Sequence, residues 1–141
     1  MIRQEAFDKV YKHFILDKGL PSFVAKGEKD DILCRYKMNP DEEDSPRCAV
    51  GIFLENYRVS LEESFLLDLI GKNLIPTFTD AKYSLSFWCK IQRCHDYAAK
   101  DPDFHIRMEA FLYQLAIIEG INCPKLSKKA LAISIEESFF L

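Results

Sequence analysis

Apolar residues recur along much of this chain at the spacing of an α-helix. From Arg3 to Lys18 they stand at i, i+3, i+4, i+7 and i+8, and Gly19 and Pro21 follow where such a helix would stop. Two longer segments, from about Asp80 to Lys100 and from Asp101 to Gly120, carry the same spacing. We therefore predict that most of the chain is helical.

One region breaks the helical pattern. Residues Ser22–Ala25 are β-tolerant, residues 26–30 have the composition of a turn, and Asp31–Met38 alternates, with Cys34 on the inward side and Lys37 on the outward side. A chain of 141 residues is long enough to bury a core without staples. We predict one globular α+β domain over residues 1–141, mostly helical, with five to six helices packed with one small antiparallel β-hairpin.

Three shorter segments carry local predictions. The stretch RCAVGIFL, residues 47–54, predicts a short helix with Cys48 facing inward and Gly51 allowing a close backbone approach. Ser60 and Glu63 have the spacing of a capping box, which predicts a helix running to Gly71 with a buried stripe formed by Phe65, Leu66, Leu69 and Ile70. Residues 133–141 repeat residues 59–67 almost letter for letter, which predicts a second capped helix start.

Composition and charge narrow the function classes. The chain is 48% hydrophobic and 29% charged, with a formal net charge of -3, so its net charge gives no electrostatic argument for binding nucleic acid, although a local basic patch stays compatible with it. It has no apolar run of membrane-spanning length and no signal peptide at its N-terminus, and we expect a cytoplasmic protein whose five cysteines stay reduced. Phosphate-binding loops and dinucleotide fingerprints are missing, and we expect no cofactor.

The cysteine and histidine residues are the candidates for a functional site, and the sequence is compatible with three hypotheses about them. In a cysteine-dependent enzyme, Cys48 at a helix N-terminus is the nucleophile, His95 the base and Asp96 the group that orients it. In a small metal-binding domain, Cys34, Cys48, Cys94 and His95 are the ligands, although their spacing lacks the tight pairs of structural zinc sites. In the third hypothesis these residues fill a core around a hydrogen-bonded histidine.

Two segments are candidates for binding a partner protein. Residues 39–46 form an acidic loop with proline near each end, and its charges are Asp41, Glu42, Glu43 and Asp44. The apolar residues at the end of the sequence are Phe139, Phe140 and Leu141. Exposed acidic groups steer association, and apolar groups contribute buried area.

Several of these residues together resemble a known pattern. Cys34-Arg35-Tyr36, the stretch from Arg47 to Gly51, Glu55, Tyr57, and His95-Asp96 followed by Ala98 resemble small uncharacterised proteins of bacteriophages and prophages. The resemblance covers about residues 3 to 120. The usual pattern continues into Ile-Pro-Asp-Glu, whereas this chain has Phe53-Leu54-Glu55-Asn56, so a turn proline is absent.

The resemblance implies a setting and no mechanism. In a host bacterial cell, a small acidic phage-type protein without catalytic motifs is expected to be an interaction protein that binds a host or defence protein and inhibits it. The cysteine-dependent enzyme and the metal-binding domain remain the alternatives.

Overall fold

Five α-helices and one pair of short strands make up the computed structural model, which describes residues 1–25 and 32–137. The helices are α1 (Arg3–Tyr11), α2 (Leu66–Gly71), α3 (Ser84–Ala98), α4 (Phe104–Glu119) and α5 (Lys128–Glu136). The strands are β1 (Phe23–Ala25) and β2 (Ile32–Cys34). The prediction of a mostly helical chain is confirmed.

Helices α3 and α4 form the centre of the fold. They pack against each other, α2 packs on α3, and α5 packs on α4. The predicted segments enclose the observed helices, and Gly120 ends α4 in the left-handed conformation, with φ 66°. The side chains that fill the core around them are fully buried and mostly large, among them Phe7, Phe14, Trp88, Ile91, Met108, Leu112 and Leu115.

The first helix changes its winding before it ends. Arg3–Tyr11 is α-helical, and Lys12–Leu16 then forms one π-helical turn, in which the Asp17 N–H donates to the Lys12 carbonyl at 2.8 Å. The apolar stripe predicted for this segment is buried along its length, including Phe14 at the wide turn. The segment therefore fills the core as predicted, but through two helix types.

The two strands pair antiparallel, with Phe23 opposite Cys34. The predicted turn at residues 26–30 lies outside the described residues, so the hairpin as a whole stays a prediction. The predicted alternation fails after Cys34, because it places Lys37 on the outward side whereas Lys37 is only 6% exposed. Its N–H donates to a Glu62 carboxylate oxygen at 3.0 Å, and its ammonium lies 5.3 Å from the centre of the Tyr57 ring.

The predicted capping box is wrong. Residues Val59–Glu63 form a short 3-10 helix in which no side chain caps the first turn, the chain is extended at Ser64, and α2 begins only at Leu66. The physical reason is Glu62, whose carboxylate accepts the N–H groups of Tyr36 at 2.9 Å and Lys37 at 3.0 Å. These two hydrogen bonds connect the 3-10 helix at Val59–Glu63 to the residues that follow β2. Phe65, predicted to be buried, is consequently 79% exposed.

The other two local predictions are also corrected. RCAVGIFL is not a regular helix, because only Gly51–Phe53 forms a single 3-10 turn, although Cys48 is buried as predicted. The second copy of the nine-residue repeat does not start a helix at Ser134. Its helix, α5, begins at Lys128, where the Ser127 hydroxyl accepts the Ala130 N–H at 3.2 Å, and Ser134 lies in the last turn.

Candidate functional site

His95 lies at the junction between the strands and α3, and both of its ring nitrogens are engaged. The side chain is fully buried. Nε2 lies 3.1 Å from the backbone N of Ser22, and Nδ1 lies 2.9 Å from Oδ1 of Asp96. A backbone N–H can only donate, so Nε2 is the acceptor, and Nδ1 carries the proton and donates it to Asp96. His95 is therefore a neutral imidazole with no free lone pair.

Ser22, His95 and Asp96 are the residue types of a hydrolase catalytic triad and contact one another in that order, but Ser22 does not meet the histidine through its hydroxyl. The atom of Ser22 that meets Nε2 is the backbone nitrogen, and its hydroxyl has no hydrogen-bond partner among the described residues. Both Ser22 and His95 are closed to solvent. A general base needs a free lone pair that a substrate can reach. The lone pair of His95 Nε2 already accepts the Ser22 N–H, and the ring is buried.

Cys48 is closed to solvent and held by the backbone around it. Its N–H donates to the Tyr36 carbonyl at 3.1 Å, and its sulfur accepts the Gly51 N–H at 3.2 Å. Burial raises the pKa of the Cys48 thiol to about 12, although the hydrogen bond from Gly51 works in the opposite direction. The catalytic hypothesis for Cys48, His95 and Asp96 required an accessible thiolate, and the structure holds a buried thiol there instead.

The predicted metal ligands are only partly brought together. In the part of the chain that is described, the one group with metal-binding geometry is Cys34, His95 and Asp96, whose ligand atoms lie within 4.8 Å of one another. Cys48 and Cys94 do not belong to this group, and burial raises the pKa of both thiols. The predicted four-residue set is therefore not assembled.

The tautomer of His95 also works against a metal ion at this group. An ion on Nδ1 would move the ring proton to Nε2, where it would meet the Ser22 N–H, donor against donor. Burial, followed by the charge of Asp96, raises the pKa of the Cys34 thiol, so that residue holds its proton. The donor set fits a hydrogen-bonded network better than a metal centre.

One edge of α3 connects three separate segments of the chain through this network. Gln92 accepts the Val50 N–H at 2.9 Å and donates to Asp96 at 2.8 Å. His95 accepts the Ser22 N–H, and the Asp96 carboxylate lies within 4.8 Å of the Cys34 sulfur. The hypothesis that the cysteines and histidine fill a hydrogen-bonded core describes this junction best.

Hydrogen bonds at its base hold the acidic loop in place. Asp41, Glu42, Glu43 and Asp44 are all exposed. At the base of the loop the Met38 N–H donates to the Pro46 carbonyl at 2.9 Å, and the Asn39 N–H donates to the Ser45 hydroxyl at 2.7 Å. The loop therefore presents its four carboxylates to solvent, as predicted. The other predicted partner-binding residues, Phe139, Phe140 and Leu141, lie outside the described residues.

An apolar groove between α2 and the start of α3 was not predicted from the sequence. Its volume is about 690 Å³, within the range of ligand-binding clefts. Phe78 and Ile70 form buried and half-buried parts of its wall, whereas Leu67 and Tyr83 are 63% and 68% exposed. The signal was the run Phe65-Leu66-Leu67, since an amphipathic helix cannot bury three consecutive apolar side chains on one face.

No family model, no curated protein and no solved structure compared with this chain matches it. Among the described helices, none has the length and apolar character needed to span a membrane.

Proposed function

We propose that this protein is a small phage-type interaction protein that binds a host or defence protein and inhibits it. The observation that carries the proposal is the apolar groove between α2 and α3, with Leu67 and Tyr83 exposed on its walls. Clustered exposed apolar side chains are typical of sites that another molecule covers. The resemblance of the sequence to bacteriophage and prophage proteins supplies the setting.

The groove suits an apolar segment of a partner protein. Two helices and a loop form its walls, so the partner meets side chains and no free strand edge, as in helix-in-groove recognition. The only charged side chain on the groove wall within the described residues is Lys82, whose ammonium lies 5.3 Å from the centre of the Tyr83 ring. Aromatic residues of this kind are enriched among the residues that dominate binding energy.

In this proposal the acidic loop increases the rate at which the partner associates. Its four exposed carboxylates, Asp41–Asp44, attract a basic surface, and such rim charges change the association rate and its salt dependence more than they change affinity. The proposal therefore assigns affinity to the groove and electrostatic steering to the loop.

The test uses Cys89, an exposed cysteine on the groove wall. A photo-reactive maleimide attached to Cys89 is irradiated in bacterial host lysate, and the captured protein is then assayed with the purified chain for loss of its activity. The matched control carries Leu16→Cys in a Cys89→Ser background, because Leu16 is 65% exposed and is not part of the groove. We expect one partner to be captured from Cys89 and not from position 16.

Substitutions in the groove complete the test. Leu67→Asp and Tyr83→Asp place a charge on the apolar wall, and we expect each to weaken binding of the captured partner by roughly tenfold or more. Leu16→Asp is expected to bind normally. Equal capture from both cysteine positions, or full binding by the groove variants, would overturn the assignment of the groove, and a partner whose activity is unchanged would overturn inhibition.

A further inference from the structure

A second cavity lies between helix α1, with the π-helical turn that follows it, and the segment after RCAVG. Its volume is about 640 Å³, enough for a small organic molecule. The half-buried Ile52 and the buried Leu54 supply its apolar surface. No residue of its wall belongs to the groove between α2 and α3, so it is a site separate from that of the proposed function.

Two cations of this cavity are held in place without a carboxylate. Arg47 donates from Nη1 to the carbonyls of Gly51 at 3.0 Å and Leu54 at 2.6 Å. The Lys9 ammonium lies 4.5 Å from the centre of the Phe53 ring. Neither cation forms an ion pair with another described residue. The same short segment of the chain therefore positions both charges, and neither is neutralised.

The other ionisable groups of the cavity leave this positive charge in place. Lys12 pairs with Asp17 at 2.7 Å, so these two charges offset each other. Burial lowers the pKa of His13 below its ordinary value of 6.5, so its ring is mostly neutral at neutral pH. Glu55 is exposed and forms no ion pair with another described residue. In a chain of net charge -3, this cavity therefore concentrates cations and favours an anion.

The free edge of Arg47 indicates which anion fits. Its Nη1 is occupied by the two carbonyls, whereas Nε and Nη2 have no partner among the described residues. These two nitrogens form the fork with which a guanidinium donates two parallel hydrogen bonds to a phosphate or a carboxylate. Lys9 adds a second positive charge, which suits the dianionic phosphate of a monoester better than a carboxylate.

Glu55 determines what else the ligand must carry. An unpaired carboxylate repels a bare anion, but it binds a ligand that also offers a hydrogen-bond donor. In nucleotide-binding proteins, acidic side chains accept hydrogen bonds from ribose hydroxyl groups. The apolar surface of Ile52 and Leu54 further requires a part of the ligand that loses little on leaving water.

We propose that this cavity binds a nucleoside monophosphate. Its phosphate contacts Arg47 and Lys9, its ribose hydroxyl groups donate to Glu55, and its base covers Ile52 and Leu54. Side chains make all of the phosphate contacts. The site therefore needs none of the glycine-rich phosphate-binding loops that the sequence lacks.

Isothermal titration calorimetry of the full chain with the common ribonucleoside monophosphates tests the site. We expect at least one to bind with a Kd below about 1 mM, and more weakly as salt is added. Lys9→Ala is expected to weaken this binding roughly tenfold. The matched control is Lys125→Ala, which removes the same charge from an exposed residue outside the cavity and is expected to bind normally. Circular dichroism checks that both variants fold.

Glu55 is tested with the dideoxy analogue of the nucleotide that binds, since this analogue lacks both ring hydroxyl groups. We expect the wild type to prefer the ribonucleotide by roughly tenfold, and Glu55→Ala to bind both ligands equally. A wild type that binds no nucleoside monophosphate below about 1 mM would overturn the proposal, as would inorganic phosphate that binds as tightly as the nucleotide. Equal effects of Lys9→Ala and Lys125→Ala, or a preference for the ribonucleotide that survives Glu55→Ala, would also contradict it.

Discussion

At the scale of single residues, Gly51 explains why RCAVGIFL has its composition. A Cβ built on Gly51 would lie 1.9 Å from the Tyr36 carbonyl oxygen, far inside van der Waals contact. The same carbonyl accepts the Cys48 N–H, and the Cys48 sulfur accepts the Gly51 N–H. Cys48 thus occupies a place where a small side chain with a weak acceptor is needed, and the predicted close backbone approach at Gly51 is confirmed.

Gly51→Ala tests this contact directly. We expect a loss of about 3 kcal/mol or more in the free energy of unfolding, because the obstacle is backbone and cannot rotate away. The measurement is urea unfolding followed by circular dichroism. Gly71→Ala is the matched control, since a Cβ there meets nothing within 4 Å, and it is expected to be neutral or stabilising. Equal effects of the two substitutions would contradict the argument.

At the scale of elements, α3 organises the fold through its polar edge as much as through its apolar face. Its Gln92, His95 and Asp96 hold segments that come before β1, at the end of β2 and from RCAVGIFL. Two of these segments have little regular structure of their own. The Ser22 and Val50 N–H groups donate to side chains of α3. Segments without regular secondary structure can be buried in this way because their backbone donors still have hydrogen-bond partners.

His95→Leu removes the acceptor of the buried Ser22 N–H. We expect the free energy of unfolding to fall by about 2 to 3 kcal/mol, since an unsatisfied buried donor bears its full desolvation penalty. Asp96→Asn keeps an oxygen for the Nδ1–H, and we expect it to lose about 1 kcal/mol or less. Chemical denaturation of the two variants checks the order. A greater loss for Asp96→Asn would show that the carboxylate charge, and not the histidine acceptor, holds the junction.

At the scale of the whole molecule, Arg3 connects the beginning of the chain to distant elements. Its N–H and guanidinium donate to Asp80, just before α3, and its guanidinium also donates to Glu119, the last residue of α4. Lys90 of α3 donates to the same Glu119 carboxylate at 2.8 Å. Four carboxylate oxygens and two cations thus form a network that spans α1, α3 and α4.

This network predicts an acid dependence of stability. Desolvation works against ionisation of Asp80, but the hydrogen bonds and charge of Arg3 outweigh it and hold the pKa of Asp80 below its ordinary value of 3.8. A depressed folded-state pKa adds stability above that ordinary value, and the added stability is lost as the pH falls through the folded-state pKa. We therefore expect Arg3→Ala to destabilise the protein at neutral pH and to flatten the fall in stability below about pH 4.

Thermal unfolding across a pH series measures this effect. Lys12→Ala is the control, because its ion pair with Asp17 is exposed and local. An Arg3→Ala variant that keeps the full acid dependence of the wild type would refute the assignment to Asp80.

The long helices could be predicted from the sequence because their signals are local. An apolar stripe over four turns, a proline in the segment before α4 and a glycine at its end need no knowledge of distant residues. The failures occur where a distant contact competes with a local signal. Ser60 and Glu63 have the spacing of a capping box, but neighbouring Glu62 binds the chain beyond β2, and that contact prevents the helix from starting there.

The candidate site divides in the same way. The buried helical core and the exposed acidic loop could be predicted from the sequence, since they depend on period or on nearby turn residues, and Cys48 is buried as predicted although the predicted helix around it does not form. The hydrogen-bonding roles of Cys48 and His95 follow from contacts between distant parts of the chain. A backbone N–H from Ser22, 73 residues away in the chain, sets the tautomer of His95 and takes its lone pair. The run Phe65-Leu66-Leu67 indicates only that some of these side chains stay exposed, whereas the position of the apolar groove depends on how the helices pack.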